Sequence, residues 1–287
     1  MMLYFYDNYH FKMESKELIE KVIKEFDSNP LIIDDIGNYK NDKNYIEMMK
    51  SSYLKTLEKC LELIPNRDST ICEFGSFFGI LAKSLRYSGY EVNACDIPFF
   101  YDREAVKKYY AKSGVKSFSF NLRDYNLPFE SSSQDLLIAC ETFEHLNFNP
   151  LPIIKEINRI IKLGGYFYIA MPNAASLVKR FRYFLFGKQP NFTPKQLFEQ
   201  LDENNNMVVG LHWREFTTKE VKQMVEPFGF KMVYKKFDSN ISFLNSKFLN
   251  YLIKKIIFSI PGCKPNQIII FKKIKTADIN LTINKDS

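Results

Sequence analysis

The chain has 287 residues, 46% of them hydrophobic and 16% aromatic, enough to bury a full core as one large α/β domain with an elaboration, which excludes disorder as the default. Its formal net charge is +7, but Lys and Arg are dispersed among acids, and no basic, aromatic-interleaved ribbon marks a nucleic-acid-binding module. Five cysteines without close pairing, at 60, 72, 95, 140 and 263, and only three histidines argue a reduced, cytoplasmic protein and no metal site.

Asp7, His10 and Glu14 stand where a signal sequence needs an apolar core, and no run of about eighteen apolar residues occurs. Residues 1–68 read as a helical cover with lid character. Two helical stretches, 15–26 and 46–64, lie there, the second carrying Met48, Met49, Tyr53, Leu57, Cys60, Leu61 and Ile64 on one stripe.

From residue 69 strands and helices alternate. The spacing predicts a strand over 70–74, the turn Gly75-Ser76-Phe77-Phe78-Gly79, a helix over 80–88 and a strand over 91–96. Gly75 lets the backbone approach a ligand where a Cβ would clash, and Gly79 lets the helix sit close to the strand. Asp96, ending the second strand, is placed to accept hydrogen bonds from ribose hydroxyls. A helix over 103–112 leads to a third strand at 117–120, a fourth follows at 136–140, and a helix over 152–161 turns through Gly164-Gly165 into a fifth at 166–171. Helix and strand return at 218–228 and 230–235, a last strand spans 267–272, and residues 275–287 read as a disordered tail.

Two segments interrupt this rhythm. Residues 174–210 carry Leu177, Val178, Phe181, Phe184 and Leu185 with Lys179, Arg180, Arg182 and Lys188, and residues 240–262 carry Phe248, Leu252 and Ile256 with Lys247, Lys254 and Lys255. Packed inward they form a cap that excludes water from an acceptor. Facing outward, 177–188 and 247–258 would rest on an anionic membrane at its inner face.

The turn has the form Gly-x-x-x-Gly behind Glu73, without the third glycine of a dinucleotide fingerprint. It resembles the first motif of class I S-adenosylmethionine-dependent methyltransferases, the type 11/12-like group. Three further runs, in the same order, are similar to that family: Leu127-Pro128-Phe129 up to Asp135-Leu136-Leu137, then Glu141-Thr142-Phe143-Glu144-His145-Leu146, then the helix-to-strand turn Arg159-Ile160-Ile161-Lys162-Leu163-Gly164-Gly165. Met171-Pro172-Asn173 and His212-Trp213-Arg214-Glu215-Phe216-Thr217 resemble a paired motif of a subset. The chain departs from the pattern at Asn121, where Asp is usual, at Gln134, where Phe is usual, and at Leu163, where Pro is usual.

The resemblance implies an α/β, Rossmann-like, doubly wound and mostly parallel seven-stranded sheet within residues 69–274, with the helical cover and inserted caps added. S-adenosyl-L-methionine would be the cofactor. Glu73 would face its methionine end, Gly75 and Gly79 its backbone with Ser76 and Phe77 between them, Asp96 and Ile97 its ribose, Asn121 or Leu122 its adenine, and Glu141 and Thr142 its sulfonium. His145 is a base or a helix-orienting residue. His212, in a loop beyond the sheet with Glu215 near enough to tune it, is the better candidate base. The expected reaction is methyl transfer to a small-molecule, lipid or glycan acceptor at a hydroxyl. A non-catalytic nucleoside-binding scaffold and an RNA methyltransferase are the alternatives.

Overall fold

The computed structural model describes residues 2–30, 39–187, 211–238 and 260–278. Residues 188–210 of the cap expected over 174–210 and nearly all of the one expected over 240–262 lie outside these residues, as does the tail from 279 onward.

Seven strands form the sheet: β1 (Thr70–Phe74), β2 (Glu91–Asp96), β3 (Lys116–Ser119), β4 (Gln134–Cys140), β5 (Ile161–Pro172), β6 (Phe230–Asp238) and β7 (Asn266–Lys273). Their order is β3-β2-β1-β4-β5-β7-β6. The pairs β1–β2 and β2–β3 are parallel, whereas β7 runs antiparallel to both β5 and β6. This is the doubly wound, mostly parallel α/β architecture. The chain divides into two compact units, Met1–Ile138 and Ala139–Ser287.

In the first unit, helices α1 (Met2–Ser28) and α2 (Tyr39–Leu63) pack on each other and on α3 (Ile80–Tyr87). Both start well before the stretches expected from the sequence, because apolar periodicity marks only part of a helix. Ile19, Val22, Ile23 and Phe26 of α1 are buried. The nearly buried Lys83 of α3 pairs with Glu25 at 3.3 Å and lies over the ring of Tyr109, 4.7 Å from its centroid. A short helix, α4 (Pro98–Tyr101), precedes α5 (Glu104–Lys112). Its four residues were too few to show periodicity.

In the second unit, α6 (Leu151–Ile160) buries Ile153, Ile154, Ile157 and Ile160 on one face. The helix stops one residue sooner than its pattern, and β5 begins at once, taking in the glycine pair with Gly164 at φ 84°. Then come α7 (Leu177–Phe186) and α8 (Thr218–Val225), the latter opened by a capping box in which Thr217 and Glu220 exchange side-chain and backbone bonds. Residues 275–278, expected to begin the tail, are held in the fold. Lys275 donates its N–H to the Gly229 carbonyl, and the N–H of Ala277 donates to Asn158 Oδ1 at 3.0 Å. The buried Asn158 also donates to the Phe228 and Lys275 carbonyls, so a single amide ties three segments.

The five cysteines are free, and the Sγ atoms of Cys72 on β1 and Cys95 on β2 lie 3.5 Å apart. Cysteines distant in sequence become neighbours because these strands pair.

Candidate active site

The turn after β1 is built by backbone. Gly75, Phe77 and Gly79 all adopt left-handed φ, at 69°, 43° and 67°. Two of the three positions carry the residue that tolerates this geometry, and Phe77 takes it at a steric cost. The N–H groups of Gly75 and Ser76 donate to the Cys95 carbonyl. Ser76 Oγ donates to the Glu73 carbonyl and accepts from Cys95 N–H, so its hydroxyl bridges β1 to β2. From α5, Tyr110 donates to the Phe77 carbonyl at 2.8 Å and Tyr109 to that of Phe78 at 3.1 Å. A Cβ on Gly79 would lie 2.5 Å from Tyr110 Cε1. Gly79 therefore admits the tyrosine that clamps the turn.

Asp96 accepts the Phe77 N–H on Oδ2 at 2.9 Å and the Ile97 N–H on Oδ1 at 2.8 Å. A carboxylate offers about four lone-pair directions, so capacity for ribose hydroxyls remains. Burial raises its pKa to about 6 against the pull of those two N–H groups. Glu73 is only 3% exposed, and its Oε2 has no hydrogen-bond partner. Burial, opposed by Ser76 and reinforced by the Asp96 charge, lifts its pKa to about 8. Among the described residues no cation stands beside either acid. S-adenosylmethionine brings a sulfonium and an ammonium, and the residues fit it.

Around this turn stand aromatic residues that the motif gave no sign of. The Phe77 ring packs on Phe78, Phe100 and Tyr45, with centroids 3.9, 4.9 and 5.9 Å away, and Phe26 meets Phe78 at 5.1 Å. The N-terminal cover thus touches the turn directly through Phe26 and Tyr45. Asn121 accepts the Arg123 N–H on Oδ1 at 3.0 Å, opening a short 3₁₀ turn over Leu122–Asp124. The oxygen expected to read adenine is engaged in capping, with one lone-pair direction to spare. Leu122, beside it, is half-buried.

In the second unit, the peptide after β4 carries a different construction. Glu141 has φ 52°, with its N–H donated to the Ala170 carbonyl at 2.7 Å; a left-handed glutamate is strained and persists only where its surroundings impose it. Thr142 Oγ1 donates to the Cys140 carbonyl at 3.1 Å. Glu144 is 0% exposed, and neither carboxyl oxygen has a hydrogen-bond partner. Burial first and the neighbouring Glu141 second push its pKa well above the carboxylate range, and burial raises Glu141 as well. The Glu144 carbonyl accepts N–H groups of Trp213 and Arg214, which stitches the loop 211–217 to this peptide.

Two histidines meet on that seam. His145 Nδ1 lies 3.0 Å from the Leu211 carbonyl, so the ring links the loop to the peptide instead of capping α6. Burial, with His212 as a second cause, lowers its pKa to about 4. His212 Nδ1 lies 3.1 Å from Glu215 Oε1, and the other Glu215 oxygen is paired with Lys179 of α7. Burial works to raise the Glu215 pKa, but the His212 hydrogen bond and the Lys179 charge overcome it and the net shift is downward. The two imidazole rings stand edge to face with centroids 4.9 Å apart. Pro172-Asn173 and the His212–Thr217 run are joined by a bridge between Asn173 and Phe216. Asn173 Nδ2 is engaged by the carbonyls of Gly262 and Lys264.

A glycine turn behind a buried acid, with a second acid ending the next strand, is the arrangement with which doubly wound α/β proteins hold a nucleoside. The chain belongs to the methyltransferase domain family, whose profile matches residues 45–235, and S-adenosylmethionine is its cofactor. No curated protein sequence matches. The fold is shared with solved structures of low identity. A Haloferax volcanii chain solved in complex with the Trm112 methyltransferase activator is 14% identical, at TM-score 0.55 over 80% of this chain and 93% of that one. A SAM-dependent methyltransferase of Archaeoglobus fulgidus is 17% identical, at TM-score 0.52 over 82% of this chain and 100% of that one. One of Thermotoga maritima is 20% identical, at TM-score 0.51 over 82% and 95%.

Proposed function

We propose that the protein transfers a methyl group to a hydroxyl oxygen of a small-molecule, lipid or glycan acceptor. The observation that carries this reading is the His212–Glu215 pair, 3.1 Å apart and anchored by Lys179, in the loop that follows the cap segment. An ionised Glu215 can only accept, so it holds the proton on His212 Nδ1 and leaves the Nε2 lone pair free to meet an acceptor O–H. A nitrogen acceptor that is already nucleophilic would need no such group.

S-adenosylmethionine, when bound, would supply an electrophilic methyl group, its sulfur keeping the electrons of the broken C–S bond. The protein's own part is to hold the ribose at Asp96, to place negative charge from Glu73 and Asp96 around the cationic cofactor, and to take the acceptor proton at His212 Nε2. His145 positions the His212 ring through its edge-to-face contact.

A lipid-borne acceptor is supported by α7, where Phe184 is 84% and Phe181 53% exposed, with Tyr183 and Leu185 also in water. An apolar ridge of this kind, with Arg180 beside it, suits the surface of an anionic bilayer. Among the described residues no helix is long and apolar enough to cross a membrane. The test of the reaction is transfer of a tritiated methyl group to sugar nucleotides, lipid extracts and RNA. Label in an alkali-stable methyl ether, lost in His212→Ala, is expected; label confined to RNA or to nitrogen would refute it. For the surface, salt-sensitive sedimentation with anionic liposomes is expected, and its absence removes the lipid arm.

A further inference from the structure

Glu144, His145 and His212 each offer one potential ligand atom, and the three atoms lie within 4.8 Å of one another. We propose that these three side chains bind a divalent transition cation, with zinc the closest chemical match. Two imidazoles with one carboxylate are a ligand set found in catalytic zinc sites, which keep a fourth position open.

The hydrogen bonds around the cluster already select the ligating atoms. The Leu211 carbonyl can only accept, so the His145 proton sits on Nδ1 and the Nε2 lone pair is free. Glu215 imposes the same tautomer on His212. A ligating histidine whose other nitrogen donates to a carboxylate or a backbone carbonyl is the usual outer shell of a metal site, and here both forms occur side by side. The carboxyl of Glu144, wholly buried, has no hydrogen-bond partner for either oxygen. Such a group costs stability unless something bonds it, and a cation is the partner of matching charge. Bonds of about 2.1 Å in a tetrahedron put ligand atoms about 3.4 Å apart, so closure asks for an inward shift of roughly one ångström, within reach of side-chain rotation.

This inference rests on the hydroxyl-acceptor reading and changes one step of it. With the ion bound, His212 Nε2 is a ligand, and the acceptor oxygen takes the open position. Its O–H proton leaves to solvent, and the resulting metal-bound oxygen anion is the nucleophile. Lys179 and Glu215 then serve the ligand set from outside.

The test uses full-length protein freed of metal with EDTA, titrated calorimetrically with Zn²⁺ and, separately, with Co²⁺ followed by its visible absorption. One ion per chain is expected, with affinity at least tenfold weaker in Glu144→Gln and in His212→Ala, while both variants still bind S-adenosylmethionine. No ion bound, or unchanged affinity in both variants, overturns the proposal. Methyl transfer separates it from the reading beneath it: full turnover in metal-free protein removes the ion and leaves His212 as base. Tight, His212-dependent zinc binding without transfer to any hydroxyl keeps the ion and removes the acceptor.

Discussion

The turn after β1 and the peptide after β4 each bury acids beside a strained backbone, but they are made of different material. Around Gly75–Gly79 the turn is shaped by main chain, with N–H groups held by Asp96, and side chains such as Ser76 and Tyr110 brace it. Around Glu141–His145 the surface is side chain, two histidines and a partnerless carboxyl, and the main chain serves only to align them. A main-chain site accepts one shape of ligand and tolerates little change. A side-chain site can change its chemistry with a single residue.

The contrast breaks most visibly at Gly79. Gly79→Ala puts a Cβ 2.5 Å from Tyr110 in a left-handed position, and the expected loss is roughly 2–4 kcal/mol of folding stability, read by denaturant unfolding. An unchanged midpoint would mean that the turn is not braced by α5. Next, His212→Ala should cut turnover about a hundredfold with cofactor affinity unchanged, measured by methyl transfer and calorimetry together. Asp96→Ala should do the converse, weakening S-adenosylmethionine binding by about 1–3 kcal/mol.

A pH series sharpens the same division. Asp96 and Glu73 rise from 3.8 to about 6 and from 4.5 to about 8, so the folded protein binds their protons more tightly than the unfolded chain does. Their contribution to stability is full below pH 4 and is lost as pH climbs through 6 and 8, so the melting temperature without cofactor should fall across that window. A cationic cofactor favours the ionised acids, and its affinity should rise roughly tenfold over the same range, with S-adenosylhomocysteine, which lacks the sulfonium, rising less. A flat profile for both ligands would place the acids away from the sulfonium. The smallest effect belongs to Asn121→Ala, expected to change cofactor affinity by less than about 1 kcal/mol because its amide oxygen is already engaged by Arg123 N–H.

The β1-turn-α3-β2 unit was legible because glycine at left-handed positions and an acid at a strand end are backbone requirements that leave a local mark in sequence. Phe77 carried no such mark, since nothing about a phenylalanine announces that it will take φ 43°. Strand positions followed from apolar runs, but direction did not, because the period of a strand is the same whichever way it runs; the antiparallel β7 between β5 and β6 needed the three-dimensional pairing. His145 and His212 were each legible as polar residues beyond strand ends. Their meeting over Glu144 was not, because counting histidines along the chain cannot see two segments stitched by the Glu144 carbonyl. Asn121 carries a local duty that its place in the motif did not announce, since its amide oxygen caps the short turn that follows.

The most direct measurement is calorimetric titration of S-adenosylmethionine into the unaltered protein, Asp96→Ala and His212→Ala under one condition. Binding that is strong in the first, weakened in the second and intact in the third is the predicted pattern. Equal loss in both variants, or binding indifferent to Asp96, would contradict a cofactor held by the β1 turn and an acceptor served by a separate side-chain cluster.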